Sequence, residues 1–227
     1  MFNVTRTQPG PDCSKDYRSV AVVNELKKIF YGKCYLCENE VSEPVVEHFV
    51  PHKGKDDSKK YDWNNLYYAC NRCNSIKGDF NDELMDCCDS SVDMSKSIKC
   101  QCPAIPNDDI VVESQSNEIK TENTAKLLNR CYNEDNTGIR GISKEILHEK
   151  LFEYFAKFIN FRIIIKNKDS SQNEKEKAIG HIESMTQDNY PFSIFWKWHV
   201  WSDPVLNGVI KTTGVTSNPC RKEYCIC

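Results

Sequence analysis

The sequence predicts an α+β chain: a cysteine-rich block of strand and helix near the N-terminus, then a mostly helical C-terminal half. Three observations carry this. Two Cys-x-x-Cys pairs, Cys34/Cys37 and Cys70/Cys73, bracket 32 residues and read as a four-thiolate zinc site. The β-prone pair Val45-Val46 lies inside that bracket, and apolar residues recur at helical spacing through the last third. Hydrophobic residues make up 39% of the 227 and charged ones 28%, ordinary globular values that exclude wholesale disorder and a fibrous repeat. The most apolar stretch, 151–165, contains Glu153, Lys157 and Arg162, so no membrane span is expected.

Taken in order, residues 1–15 are polar, carry Pro9, Gly10 and Pro11, and read as an irregular lead-in. Over 18–30 the apolar residues Val22, Val23, Leu26, Ile29 and Phe30 predict an amphipathic helix that stops at Gly32. The block 34–82 follows, rich in Cys, His and Asn. Residues 83–118 hold eight acidic residues against Lys96 and Lys99, with Pro103 and Pro106, and read as a long acidic, Cys-containing connector with little regular structure. A helix is expected from Thr121 through Cys131, then a turn at Asn136, Gly138 and Gly141. Ser143 is placed to cap a long helix to about Ile165, with Leu147, Leu151, Tyr154, Phe155, Phe158 and Ile165 on one face. A polar helix near 171–185 and an aromatic one opened by Pro191 complete the chain. The organisation expected is therefore 1–82, N-terminal helix plus catalytic block; 83–118, connector; and 119–227, a helical region suited to docking on a partner.

Thirteen cysteines is an odd count, so complete pairing within one molecule is impossible, and the first residues show no secretory signal. A reducing, cytoplasmic setting is expected, in which such pairs hold metal. A four-cysteine site alone is as often a bare staple as part of a reactive centre. What it brackets is more specific. Glu47-His48 stands at an expected strand end, three residues before Pro51, where a carboxylate and an imidazole side by side can face a common loop edge. Asn65 precedes Leu66; Asn74 and Lys77 follow the second pair on an expected helix. A carboxylate, an amide oxygen and a general base around one point suit a single hard ion, Mg²⁺ or Mn²⁺, that keeps most of its shell for water and phosphate.

The block resembles the HNH endonucleases, in their zinc-braced four-cysteine branch. The matching pattern is a cysteine pair, Glu47-His48-x-x-Pro51, Asn65-Leu66, and a second cysteine pair running into Asn74-x-x-Lys77. The resemblance implies a ββα-metal (His-Me finger) core that hydrolyses nucleic-acid phosphodiester bonds. It implies Glu47 and Asn74 as ligands of the catalytic ion, His48 as general base and Asn65 as the residue orienting the catalytic loop. Lys77 would touch a phosphate. Glu47 replaces the commoner Asp.

The layout beyond the motif is similar to the HNH subunits (PtuB-type) of Septu and retron-associated anti-phage systems. The shared features include an acidic Cys87-Cys88-Asp89 segment and a helical second half. That resemblance implies an ABC/SMC-like ATPase (PtuA-type) as partner and, in the retron case, a reverse transcriptase with its RNA/DNA. Double-stranded DNA, single-stranded DNA and structured RNA are all compatible with a core that grips backbone, with DNA favoured. A zinc-braced nucleic-acid-binding adaptor without catalysis is the alternative.

The chain carries weaker signals as well. Cys87, Cys88, Cys100, Cys102, Cys220, Cys225 and Cys227 could supply a second zinc, although free thiols are the plainer reading, as they are for Cys13 and Cys131. His52 could be an inner-shell group or a phosphate contact, with the polar rim of the cleft the plainer reading; Lys53, Lys55, Lys59 and Lys60, interrupted by Asp56 and Asp57, fit an approach to phosphates and a solvated loop equally. Phe192, Phe195, Trp196, Trp198 and Trp201 could stack on bases, but at helical spacing they read as core or as a patch facing a partner. His148, His181 and His199 have no companion ligands. Charge is the last constraint: 1–82 holds 12 basic and 12 acidic residues, 83–118 carries −6 and 119–227 carries +3. Free protein should therefore hold nucleic acid weakly.

Overall fold

The computed structural model describes residues 1–52, 54, 56–78, 80, 83–106, 108–135 and 143–210. The expected turn at 136–141, Lys53, Lys55 and the cysteines at 220, 225 and 227 lie outside these residues. Helix α1 (Val20–Ile29) starts where the Ser19 side chain accepts the Val22 N–H, and it buries Val22, Leu26 and Ile29. It ends at Tyr31 and Gly32, both with positive φ (56° and 69°), where the Gly32 N–H caps the Lys27 carbonyl. Strands β1 (Val45–His48) and β2 (Leu66–Ala69) pair antiparallel, Glu47 opposite Tyr67 and His48 opposite Leu66. Between them run the short α2 (Asp57–Lys60) and a 3₁₀ turn at Trp63–Asn65. Helix α3 (Asn71–Lys77) follows β2 directly, capped by the Cys70 sulfur, which accepts the Cys73 N–H.

The acidic segment departs from expectation. It folds into α4 (Met94–Ser97) and an antiparallel hairpin, β3 (Ile98–Gln101) with β4 (Val111–Ser114). Its acidic composition hid a period of two, in which Ile98 and Cys100 turn inward while Lys99 and Gln101 turn out. Met85, Cys87, Met94 and Ile110 are buried as well. The hairpin packs on α5 (Ile119–Asn133) and α8 (Ser193–Ser202).

Helix α6 (Lys144–Lys166) is capped by Ser143 as its sequence predicts, and α7 (Gln172–Met185) opens on a Ser171/Glu174 capping box. The short α9 (Leu206–Val209) closes the described chain. Helix α8 is core. Phe192, Phe195, Trp196 and Trp198 are fully buried and Trp201 is 4% exposed. The Trp198 indole donates to the carbonyls of Ser95 (2.9 Å) and Ile98 (2.8 Å). An aromatic docking patch is therefore not what this segment forms; a helix flanked by the β3 hairpin and α7 hides its rings. The lead-in is likewise packed, with Phe2, Val4 and Cys13 inside. One hydrophobic core runs from residue 1 to residue 210. None of the described helices is long and apolar enough to cross a membrane.

Candidate active site and zinc centre

The sulfurs of Cys34, Cys37, Cys70 and Cys73 converge, all within 4.8 Å of one another and all buried. Cys37 and Cys70 are 3.9 Å apart. A tetrahedral zinc with bonds of about 2.3 Å requires sulfurs about 3.8 Å apart, so the set fits the ion. Hydrogen bonding among the thiols sets their acidity. Cys34 raises Cys37, Cys131 raises Cys73, and the bonds that Cys70 receives from Cys34, Cys37 and Cys73 drive it well down. Zinc takes all four as thiolates, so binding releases their protons. The second half of the chain braces this centre: Tyr132 on α5 donates to the Cys37 carbonyl at 3.1 Å. Buried Arg72, within the second pair, reaches the carbonyls of Cys131 (3.0 Å) and Glu134 (2.5 Å).

Glu47 and His48 stand side by side and buried at the end of β1, and each meets its own partner, Glu47 a lysine of α3 and His48 the loop before β2. Glu47 meets Lys77, whose Nζ lies 2.7 Å from Oε1 and donates also to the His48 carbonyl at 2.9 Å. Burial pushes the Glu47 carboxyl up, and the Lys77 ammonium pulls it back. Lys77 is 2% exposed, so its amine faces this carboxylate rather than a passing phosphate. The reason is helical geometry: the end of a seven-residue helix docked on β1 leaves Lys77 pointing at the sheet. Asn74, one turn earlier on the same side of α3, is half-buried.

His48 is held on three sides. Its Nε2 lies 3.0 Å from the Lys60 carbonyl, and its ring meets Tyr17 and His52 edge-on, with centroids 4.8 and 4.4 Å away. A carbonyl only accepts, so Nε2 carries the proton and Nδ1 is the basic atom. Burial holds the imidazole below the ordinary histidine value, and His52, Lys77 and Arg18 push the same way. Asn65 stitches the loop. Its Oδ1 accepts the Val50 N–H (2.7 Å), and its Nδ2 donates to the carbonyls of Val50 and Lys59, both at 2.9 Å. Sequence reasoning missed Tyr17 and the Lys60 carbonyl; a backbone acceptor leaves no mark in a sequence.

Among the described residues one further group of candidate ligands exists, Asp86, Cys87 and Cys88. Cys100 and Cys102 are not part of it; Cys102 donates its N–H to His199 Nε2 instead (3.4 Å). The Cys87 hydrogen bond and then the Arg6 cation hold the Cys88 thiol down.

The family model described as HNH endonuclease matches residues 34–80, the segment that holds both cysteine pairs, Glu47, His48, Asn65, Asn74 and Lys77. The Septu protein PtuB of Bacillus mycoides (strain KBAB4) is 40% identical over 73 residues, which cover 26% of this chain and 25% of that protein. The match thus spans about a quarter of the relative's length. No solved structure matches the chain.

Proposed function

From an HNH core braced by four cysteines, we propose that this chain is a metal-dependent endonuclease, the nuclease effector of an anti-phage defence complex with an ABC/SMC-like ATPase. The observation that carries this reading is the line from Asn65 to His48. Asn65 fixes the Lys59 carbonyl, the next carbonyl fixes His48 Nε2, and Nδ1 is left free and unprotonated. A zinc staple has no need of an imidazole held in one tautomer. An imidazole neutral at pH 7 is ready to take a proton from an attacking water.

Glu47 and Asn74 fit a hard divalent ion in kind, one carboxylate and one amide oxygen, and Lys77 engages only one of the two carboxylate oxygens. When bound there, Mg²⁺ or Mn²⁺ would stabilise the charge that builds on the phosphate and its leaving oxygen. Within the chain, His48 accepts the water's proton at Nδ1, and Lys60 and Asn65 keep the ring from turning. Lys77 orients Glu47 and ties the His48 backbone to α3.

DNA is the substrate favoured, ahead of RNA. The ATPase is proposed because the core lacks the cations to hold nucleic acid alone: 1–82 is neutral and 83–118 carries −6. Likeness to a Septu PtuB protein supports the same partner. The test is to incubate the purified chain, with and without the ATPase encoded beside it, on plasmid, single-stranded DNA and RNA. Each reaction is run in Mg²⁺, Mn²⁺ or chelator. Cleavage that needs the metal, and rises with the ATPase, is expected. Binding without cleavage under every condition would leave the adaptor alternative in its place.

A further inference from the structure

Outside residues 34–80, the segment leading into α1 brings Tyr17 and Arg18 to the His48 site. Tyr17 stands edge-on to the imidazole and, at 6.2 Å, edge-on to Tyr61. Each tyrosine carries a cation over its ring: Arg18 Cζ lies 5.0 Å from the Tyr17 centroid and Lys60 Nζ 4.8 Å from that of Tyr61. Contact of this kind holds a long charged side chain in place and leaves its N–H donors for another acceptor. Arg18 is exposed and Lys60 half-buried. Among the described residues the ion pair beside them is Lys59–Asp56, and neither Arg18 nor Lys60 takes part in one. Asp16 accepts the Arg18 backbone N–H at 2.8 Å.

We infer that Tyr17, Arg18, Lys60 and Tyr61 form the substrate-gripping wall of this site, with Arg18 and Lys60 each taking a backbone phosphate of the nucleic acid beside His48. The inference rests on the nuclease reading and adds to it the part of the chain that holds the strand. Two features favour phosphates over stacked bases. One cation lies over each tyrosine ring, and the T-shaped contacts of Tyr17 with His48 and with Tyr61 take up further ring surface. The surrounding block is also charge-neutral, so phosphate must be gripped by cations placed at the site rather than by a broad field.

The test uses the full chain carrying His48→Ala, so that probes stay intact. A labelled DNA duplex, a DNA single strand and an RNA hairpin are titrated across a salt series. The same is done for this chain with Arg18→Gln and Lys60→Gln added, and for one with Lys168→Gln as an exposed control. Zinc content and melting temperature verify that each variant folds. For two lost phosphate contacts, the slope of log affinity against log salt should fall by about 1.4 on single strands and about 1.8 on duplex. The Lys168→Gln chain should keep the parental slope. A parent that binds, with the double variant unchanged in affinity and slope, overturns the wall alone. A parent that binds none of the three probes at about 50 mM salt, with the ATPase encoded beside it present as well as without it, removes the nuclease reading and the wall together.

Discussion

Lys77 and Glu47 form a buried ion pair across the α3–β1 contact, Nζ to Oε1 at 2.7 Å, with the lysine side chain fully enclosed and the glutamate 10% exposed. Removing one partner of such a pair strands the other charge, at a cost of roughly 3–5 kcal/mol. Lys77→Met should therefore lower the melting temperature by about 10 °C in chelator, taking roughly 2–4 °C per kcal/mol for a chain of this size. If Glu47 is a metal ligand, Mg²⁺ should restore part of the loss, because a divalent ion then replaces the ammonium. Thermal melts in chelator and in Mg²⁺ decide it. A Lys77→Met chain that melts like wild type in chelator sinks the energetic claim, and one indifferent to Mg²⁺ sinks the ligand claim.

His48→Ala should lower cleavage by roughly 10²–10⁴ while zinc content and fold persist, since only the base is lost. Asn65→Ala keeps the imidazole but releases the loop that carries its carbonyl partner. Up to roughly 10² in kcat is expected from that misplacement, with KM little changed. Steady-state rates for both variants, with zinc measured on the same samples, check the pair. Wild-type turnover by His48→Ala would end the base assignment.

The elements legible in the sequence were those with local signals. Ser143 caps the helix expected of it, the first helix stops at Gly32, and the cysteine pairs meet as their spacing predicts. The β3–β4 hairpin was not legible, because four-residue strands among aspartates and prolines give too few alternations to stand out. At the site, residue types were legible but directions were not. Lys77 faces Glu47 because of where α3 ends, and Tyr17 reaches His48 from 31 positions away. Long-range placement of that kind is set by packing, which the pattern of a single segment does not contain.

Metal analysis of the purified protein should find about one zinc per chain at Cys34, Cys37, Cys70 and Cys73. Because Tyr132 and Arg72 tie the centre to α5, stripping the metal should loosen both halves together. A strong chelator should thus lower the single melting transition instead of splitting it. Cys37→Ser should do the same without chelator. A folded, metal-free preparation with the wild-type melting temperature would remove the zinc assignment.

The stability of the second half should fall in mild acid through His199. Its ring stacks on Phe155 and Trp196, with centroids 4.9 and 6.3 Å away, and lies 5.5 Å from Phe158. Its Nε2 accepts the Cys102 N–H. Burial pushes its pKa down to about 4 from the ordinary 6.5. Between those values the unfolded chain binds a proton that the folded chain refuses, so stability falls as pH drops through 6.5 and levels off below about 4. The full shift bounds the effect at roughly 3 kcal/mol, with about 2 kcal/mol lost by about pH 5. Zinc thiolates also protonate in acid, so the measurement is a difference. Denaturant melts of wild type and His199→Gln are compared at about pH 7.5 and about pH 5, both zinc-loaded; Gln keeps an acceptor for Cys102 and does not titrate. The gap between the two chains should shift toward the variant by about 2 kcal/mol at the lower pH. An identical gap at both values would mean that His199 is not the group that senses acid.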